Sequence, residues 1–351
     1  MSAEQPADVQ SVSDRHRFDE RRLEAWMQAT IPDHRGPIAV RQFAGGQSNP
    51  TFLVEAGDRR YVLRKKPPGK LLPSAHAVDR EYRVITALGP TGFPVPRTRG
   101  LCEDESVIGQ AFYLMDWVPG RILRNPLLPG VPPAERTAIY RAMIDTLARL
   151  HAVDPVAVGL GDYGKPGNYF ERQIARWIKQ YEASKTGEIP SFDRLIEWLP
   201  RNVPPGDETR IAHGDFRLEN MIVHPTESRV VAVLDWELST LGHPFADVGY
   251  VVMPQFMPEG FPQRLAIDDP DAKGIPTADE MVRWYCEATG RPGIPRIEFY
   301  VVFSLFRMAA IVQGIAMRAQ QGNASSENAA AVGQMAGAIA DAAWSLVERS
   351  S

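Results

Sequence analysis

The stretch IAHGDFRLENMIVHPTESRVVAVLDWELSTLGHPFADVG, from Ile211 to Gly249, constrains the fold of this chain more than any other. Met221 to His224 and Val230 to Leu234 are short apolar, β-branched runs, and the Pro225-Thr226-Glu227-Ser228 link has turn composition, so the pair predicts a β-hairpin. Asn220 enters the first strand and Asp235 leaves the second, and antiparallel pairing would return both to the same end. Asp215 lies five residues before Asn220 on the loop feeding that end. One base-capable carboxylate, one amide oxygen and one further carboxylate are therefore expected at a loop edge.

Hard oxygen ligands with open positions suit Mg²⁺, which binds through one or two protein groups and takes its other ligands from phosphates and water. Phosphoryl transfer asks for a loop Asp to accept a hydroxyl proton, an Asn five residues later on metal, and an Asp after the next strand on metal. His213-Gly214-Asp215, Asn220 and Asp235 stand in that order and spacing. Singly, each has a plainer reading as a turn cap or loop end. A hydrolase metal cluster of His213, Asp215 and Asp235 is the rival, and it leaves Asn220 unexplained.

The segments HGDFRLEN, VLDWE and GHPFADVGY together resemble the aminoglycoside phosphotransferase and choline kinase-like family of small-molecule kinases. Their wording is closest to the branch fused to, or encoded beside, acyl-CoA dehydrogenases. The resemblance covers about Phe43 to Arg318 and implies an α+β, bilobal protein-kinase-like fold that uses ATP and Mg²⁺. It implies that Asp215 is the catalytic base, Asn220 and Asp235 the Mg²⁺ ligands, Asp247 the buried carboxylate bracing the catalytic loop, and His213 a structural loop residue. A protein kinase fits less well, because Asp235-Trp236-Glu237 stands where D-F-G would and no A-P-E segment follows.

Upstream, residues 1–17 read as a flexible polar tail, 18–118 as an N-lobe with a five-stranded sheet, and 119–351 as a mostly helical C-lobe. Phe18 to Thr30 has helical spacing at Leu23, Trp26 and Met27. The turn at Gly45, Gly46 and Ser48 joins two strands, and glycine there lets backbone N–H groups approach phosphates. On the strand Tyr61 to Arg64, alternation puts Val62 and Arg64 on one face and Leu63 and Lys65 on the other. Val62 would floor a nucleotide base while Arg64 reaches its phosphates, in the place where protein kinases carry a lysine. A register error of one residue would hand that role to Lys65.

The next helix is expected from an N-cap at Ser74 to Gly89, with Val78, Tyr82, Ile85 and Leu88 as its stripe and Glu81 beside it. Glu81 is expected to pair with Arg64. At the end of the last N-lobe strand the resemblance implies that Asp116 to Val118 give main-chain contacts to the base and that Met115 borders its pocket. In the C-lobe, helices are expected at about 134–151, 168–183 and 299–320, with a loop from Met253 to Pro276 as a lid or rim and a surface helix within 324–347. His151 reads as a dipole-stabilising or packing residue.

The net charge of −4 excludes a general pull toward nucleic acid or anionic membrane. Cys102 and Cys286 belong to no ligand-spaced motif, and the polar N-terminus lacks the apolar core of a signal peptide, so a cytoplasmic enzyme is expected. The partner is a small-molecule acceptor, for which Arg217, Arg307 and Arg318 are candidate contacts. These cations suit an anionic acceptor such as a hydroxyacyl-CoA or hydroxy acid, and no dedicated acidic run suits a cationic aminoglycoside. The alternatives are an aminoglycoside kinase and a catalytically silent nucleotide-binding module that partners an acyl-CoA dehydrogenase.

Overall fold

The computed structural model describes residues 9–44, 49–68, 77–321 and 329–350. The chain divides into two units, Met1–Arg121 with Val231–Glu237, and Ile122–Val230 with Leu238–Ser351. Gly45, Gly46, Ser48 and Ser74 lie outside the described residues.

In the first unit β1 (Val9–Gln10), β2 (Ile38–Phe43), β3 (Thr51–Ala56), β4 (Arg59–Lys65), β5 (Thr98–Cys102) and β6 (Phe112–Asp116) form one antiparallel sheet of order β1-β2-β3-β4-β6-β5. The sixth strand corrects the expected five. Val9 and Gln10 pair with Phe43 and Gln42, and a two-residue strand is too short to show alternation in sequence. Its neighbourhood is pinned by Gln42, whose Oε1 accepts from Ser13 N and Oγ, each at 3.1 Å.

Alternation along β4 divides the sheet's two faces as expected: Tyr61, Leu63 and Lys65 are buried on one, and Val62 and Arg64 take the other. The first face packs on α1 (Glu20–Thr30), where Leu23 and Met27 meet Phe52, Val54, Leu63, Phe112 and Leu114. Asp19 caps that helix by accepting from the Arg21 and Arg22 N–H groups. α2 (Val78–Leu88) buries Val78, Glu81, Val84, Ile85 and Leu88. Glu81 therefore sits within the apolar stripe, a correction to its expected place at the edge, and Tyr82 is the more exposed residue. The short α3 (Glu105–Ile108) links β5 to β6.

The second unit is mainly helical: α4 (Pro133–Ala152), α5 (Tyr169–Ser184), α6 (Pro190–Arg201), α7 (Pro244–Val252), α8 (Ala278–Thr289), α9 (Ile297–Gln320), α10 (Ala329–Gly333) and α11 (Ala336–Ser350). α9 is long and apolar enough to cross a membrane by length and composition alone, but 78% of its apolar window is buried in the protein. It packs against α5, α7, α10 and α11. Its apolar residues run around the whole helix because neighbours cover it on most sides. α11 buries Ile339, Ala340 and Ala343, so the expected surface helix is half core. Met253 to Pro276 is a packed segment and not a loose loop, since Met257, Phe261 and Leu265 are buried and Gln255 bonds both Pro276 O and Ala278 N at 2.8 Å.

Two short strands, β7 (Arg210–Ala212) and β10 (Thr240–Gly242), pair antiparallel through Ile211 and Leu241. They bring the loop after β7 to the start of α7. β8 (Met221–Val223) runs to the expected turn, where His224 N donates to Arg229 O at 2.9 Å, and β9 (Val230–Val233) follows.

α7 approaches α9 so closely that a Cβ on Gly249 would run into the Tyr300 main chain. Replacing Gly249 with Ala should lower stability by about 2 kcal/mol, as overpacking does. Urea denaturation would show a lower midpoint at unchanged slope, and an unchanged midpoint would contradict the close approach.

His243 caps α7 by accepting from Phe245 N at 3.2 Å, and burial pushes its ring down to about 4 from an ordinary 6.5. The unfolded chain binds the proton more readily between those values, so stability is full above about pH 6.5 and falls as pH drops toward 4, by roughly 3 kcal/mol. His243→Asn keeps an acceptor at the cap and should flatten this slope in denaturation curves taken across that window.

Candidate active site

In the first unit the site is organised around a buried carboxylate. Glu81 is 1% exposed, and such a group is tolerated only when its oxygens are satisfied. Asn49 Nδ2 donates to Oε1 at 2.7 Å, Tyr113 O–H donates to Oε2 at 3.0 Å, and Arg64 Nε lies 3.2 Å from Oε2. The Arg64 contact is an ion pair without hydrogen-bond alignment, since that Nε makes no hydrogen bond. Burial raises the Glu81 carboxyl against the opposing pull of Arg64. Burial would lower the Arg64 guanidinium, but Glu81, Tyr113 and Asp235 outweigh it and hold the cation firmly protonated.

Arg64 also donates from Nη2 to Asp235 Oδ1 at 3.1 Å. Asp235 follows β9 in a left-handed conformation, φ 63°, which Asp tolerates better than most residues. The segment is tied down by Val233 N, which donates to Pro94 O at 2.8 Å, and by Trp236 packed edge-on to Phe93. Register pairs Arg64 with Tyr113 and Val62 with Met115, so these four share the face toward Glu81. Lys65 points the other way, with Nζ 3.2 Å from His16 O and over the Phe18 and Phe52 rings. Of the expected main-chain contacts, two amides are committed to the sheet: Asp116 N donates to Arg97 O and Trp117 N to Arg60 O. The Asp116 carboxylate is engaged as well, by Arg99 at 2.6 and 2.8 Å.

In the second unit the loop after β7 is held from α7. Asp247, 1% exposed, accepts His213 N on Oδ2 at 2.7 Å and Gly214 N on Oδ1 at 2.8 Å. Burial alone would raise its carboxyl; the His151 hydrogen bond, the His151 and His213 rings and the Gly214 N–H bring it below the ordinary Asp range. His151, in the last turn of α4 as expected, does more than pack: Nε2 lies 3.3 Å from Asp247 Oδ2 and Nδ1 2.8 Å from Tyr285 O–H. The tautomer that satisfies both has the proton on Nε2. Gly214 is required, since φ is +82° and a Cβ would sit 2.9 Å from Leu238 O.

The loop presents Asp215. His213 Nδ1 accepts Asp215 N at 3.2 Å, and Asn220 Nδ2 donates to both Asp215 O and Oδ2 at 2.9 Å. Asn220 thereby spends its amide nitrogen on the loop, which leaves its oxygen as the ligand-capable atom. Tyr250 donates from its hydroxyl to Asp215 Oδ1, and Arg217 Nε stands 3.3 Å from the same oxygen. Arg307 donates from Nη2 to Gly214 O at 2.9 Å and lies over the Trp177 and Tyr250 rings. Its buried Nε has no hydrogen-bond partner among the described residues.

Asp215 opens onto a cavity of about 360 Å³ that is also lined by Arg217, Tyr250, Arg307 and the apolar Met308, Ile311 and Ile315 of α9. Among the described residues Asp215 is its one acidic lining residue. Of the three arginines expected at the acceptor, Arg217 and Arg307 line it; Arg318 does not and is exposed on α9. Gln313, also on α9, bonds Ser184 O and Thr186 Oγ1 away from this cavity.

Asn220 in the second unit and Asp235 in the first each carry a hard oxygen of the kind that suits a divalent cation, and each has one atom already committed to a positioning contact within its own unit. Among the described residues no three His, Cys, Asp or Glu side chains cluster as a metal site of their own. Asn49, Tyr113, Tyr250 and Tyr285 escape sequence reading, as does the bond from His151 to Asp247. Only Tyr250 leaves a trace, standing one helical turn after Asp247 on the same face.

Residues 39–295 match the model of the family described as the phosphotransferase enzyme family. Acyl-CoA dehydrogenase family member 10 of Mus musculus is 48% identical over 330 residues, which cover 93% of this chain and 31% of that protein. The chain thus spans about a third of that curated relative. A structure described as an aminoglycoside phosphotransferase of Ralstonia eutropha JMP134 is 49% identical, with a TM-score of 0.87 over 95% of this chain and 99% of that one. Spectinomycin phosphotransferase, solved in complex with ADP and spectinomycin, shares the fold at 11% identity, with a TM-score of 0.61 over 97% and 99% of the two chains.

Asp247→Asn should cost about 2–3 kcal/mol, because the amide offers one oxygen to two N–H donors and turns an N–H group on the other. Chemical denaturation would detect it; a loss below about 0.5 kcal/mol would mean that the loop is held elsewhere.

Proposed function

The chain belongs to the phosphotransferase enzyme family and is a kinase of small molecules, and from that premise we propose that it moves the γ-phosphoryl group of ATP to a hydroxyl of an anionic, partly apolar acceptor, a hydroxyacyl-CoA or hydroxy acid. The observation that carries this reading is the cavity at Asp215, where, among the described residues, two arginines and an aliphatic wall from α9 meet a single carboxylate. A cationic antibiotic calls for several carboxylates. An acceptor with a negative group and a hydrocarbon segment matches the lining better.

Asp215 is the proposed general base. Its carboxylate is held by Asn220 and Tyr250, and it takes the hydroxyl proton as the acceptor oxygen bonds to phosphorus and the bond from the γ-phosphorus to ADP breaks. Arg64, kept charged by Glu81 and Asp235, serves the phosphates, with Asn49 and Tyr113 fixing Glu81. Val62 and Met115, paired in register, offer the apolar surface for the base. The motif resemblance gives Asn220 and Asp235 as the residues that would hold Mg²⁺, which when bound neutralises charge on the transferring phosphates. Arg217 and Arg307 receive the acceptor's negative group. A working link to an acyl-CoA dehydrogenase is proposed from the relative's name alone.

The test is Mg²⁺-dependent ADP release from ATP against hydroxyacyl-CoAs, free hydroxy acids, sugars, choline and aminoglycosides. Asp215→Asn should lower acceptor-stimulated release by roughly 10²–10⁴-fold and leave nucleotide affinity nearly unchanged. Full turnover in that variant would remove Asp215 as the base. Phosphorylation of aminoglycosides with none of hydroxyacyl thioesters would remove the anionic acceptor.

A further inference from the structure

A carboxylate base able to accept a proton from an alcohol can also accept one from water, and a cavity of about 360 Å³ beside it admits water freely. In that side reaction the water oxygen bonds to the γ-phosphorus, the bond to the bridging oxygen of ADP breaks, and the water proton passes to the carboxylate, giving ADP and inorganic phosphate. A kinase gains by restricting the base to one approach.

An ionised carboxylate offers about four lone-pair positions. On Asp215, Oδ1 receives the Tyr250 hydroxyl and faces Arg217 Nε at 3.3 Å, and Oδ2 receives Asn220 Nδ2 at 2.9 Å. Two of the four are thus engaged by hydrogen bonds from this chain, one on each oxygen, and Arg217 adds an ion pair at Oδ1. Tyr250 is set for this task from two sides. It stands one turn after Asp247 on α7, the helix that also holds the loop's main chain. The Arg307 guanidinium lies over its ring while bonding Gly214 O, which fixes ring and loop together. Burial and the Asp215 charge push the Tyr250 phenol well above its ordinary pKa, so it remains a donor at any working pH.

We propose that Tyr250 is a positioning residue that, with the Arg217 ion pair beside it, closes the Oδ1 side of Asp215 to water and leaves the open position on Oδ2 for the acceptor hydroxyl. This rests on Asp215 being the base. It separates Tyr250 from a merely structural residue, whose loss would lower every activity together.

The experiment measures inorganic phosphate release from MgATP with no acceptor present. Tyr250→Phe removes only the hydroxyl and leaves room for a water against Oδ1. Acceptor-free phosphate release should rise roughly threefold or more, and the double variant Tyr250→Phe, Asp215→Asn should lose that rise. Unchanged or reduced release from a folded Tyr250→Phe protein overturns the proposal. A rise that survives Asp215→Asn overturns the premise that Asp215 is the base. Arg217, a third exposed, can be replaced without disturbing the core. Arg217→Gln vacates the other Oδ1 contact and should raise release in the same direction; if Tyr250→Phe fails to fold, absence of that rise overturns the proposal.

Discussion

The second unit depends on one buried carboxylate receiving two main-chain N–H groups. Asp247 holds the amides of His213 and Gly214 while His151 and Tyr285 support it from behind. Such charge-assisted bonds are stronger than neutral ones, and inside the protein their loss leaves donors that water cannot reach. Gly214 can turn through positive φ only because it lacks a Cβ. With the loop's backbone fixed, the side chains on it inherit fixed positions: Asn220 and Tyr250 then meet different oxygens of Asp215. α7 thus sets the loop twice, through Asp247 on the main chain and through Tyr250 on the side chain.

The first unit handles charge by the same economy with a different object. Here the buried acid is Glu81, and its donors are Asn49, Tyr113 and Arg64. Replacing lysine by arginine at the β4 position preserves charge and adds reach: one guanidinium meets Glu81 through Nε and Asp235 through Nη2. A point-like ammonium has no such fork. Lys65, one residue on, is committed to the opposite face by the pleat, with its Nζ among aromatic rings and the His16 carbonyl.

Much of this was legible in the residue order because it follows from local rules. Period two along β4 separates Arg64 from Lys65 whatever surrounds them, and the spacing of Asp215, Asn220 and Asp235 orders the loop and hairpin. The motif words placed the chain among small-molecule kinases, and the family match over residues 39–295 agrees. The strand at Val9–Gln10 was not legible, since its pairing is decided by the edge of β2 and not by its own two residues. Nor was the burial of α11, because the strip of α9 that covers it is chosen by helix packing.

Sequence alone determined which side chains stand as candidates for the chemistry, the parity of each strand, and the chain order of loop, hairpin and helix. Tertiary structure decided their partners. His151 reaches Asp247 from 96 positions away, Tyr285 reaches His151 from 134, and Tyr250 reaches Asp215 from 35. Arg307 and Arg318, alike on one helix in sequence, part company because the rotation of α9 turns one into the cavity at Asp215 and leaves the other exposed. The physical reason is range: propensity and periodicity act over a few residues, whereas satisfying a buried charge draws donors from wherever packing brings them near.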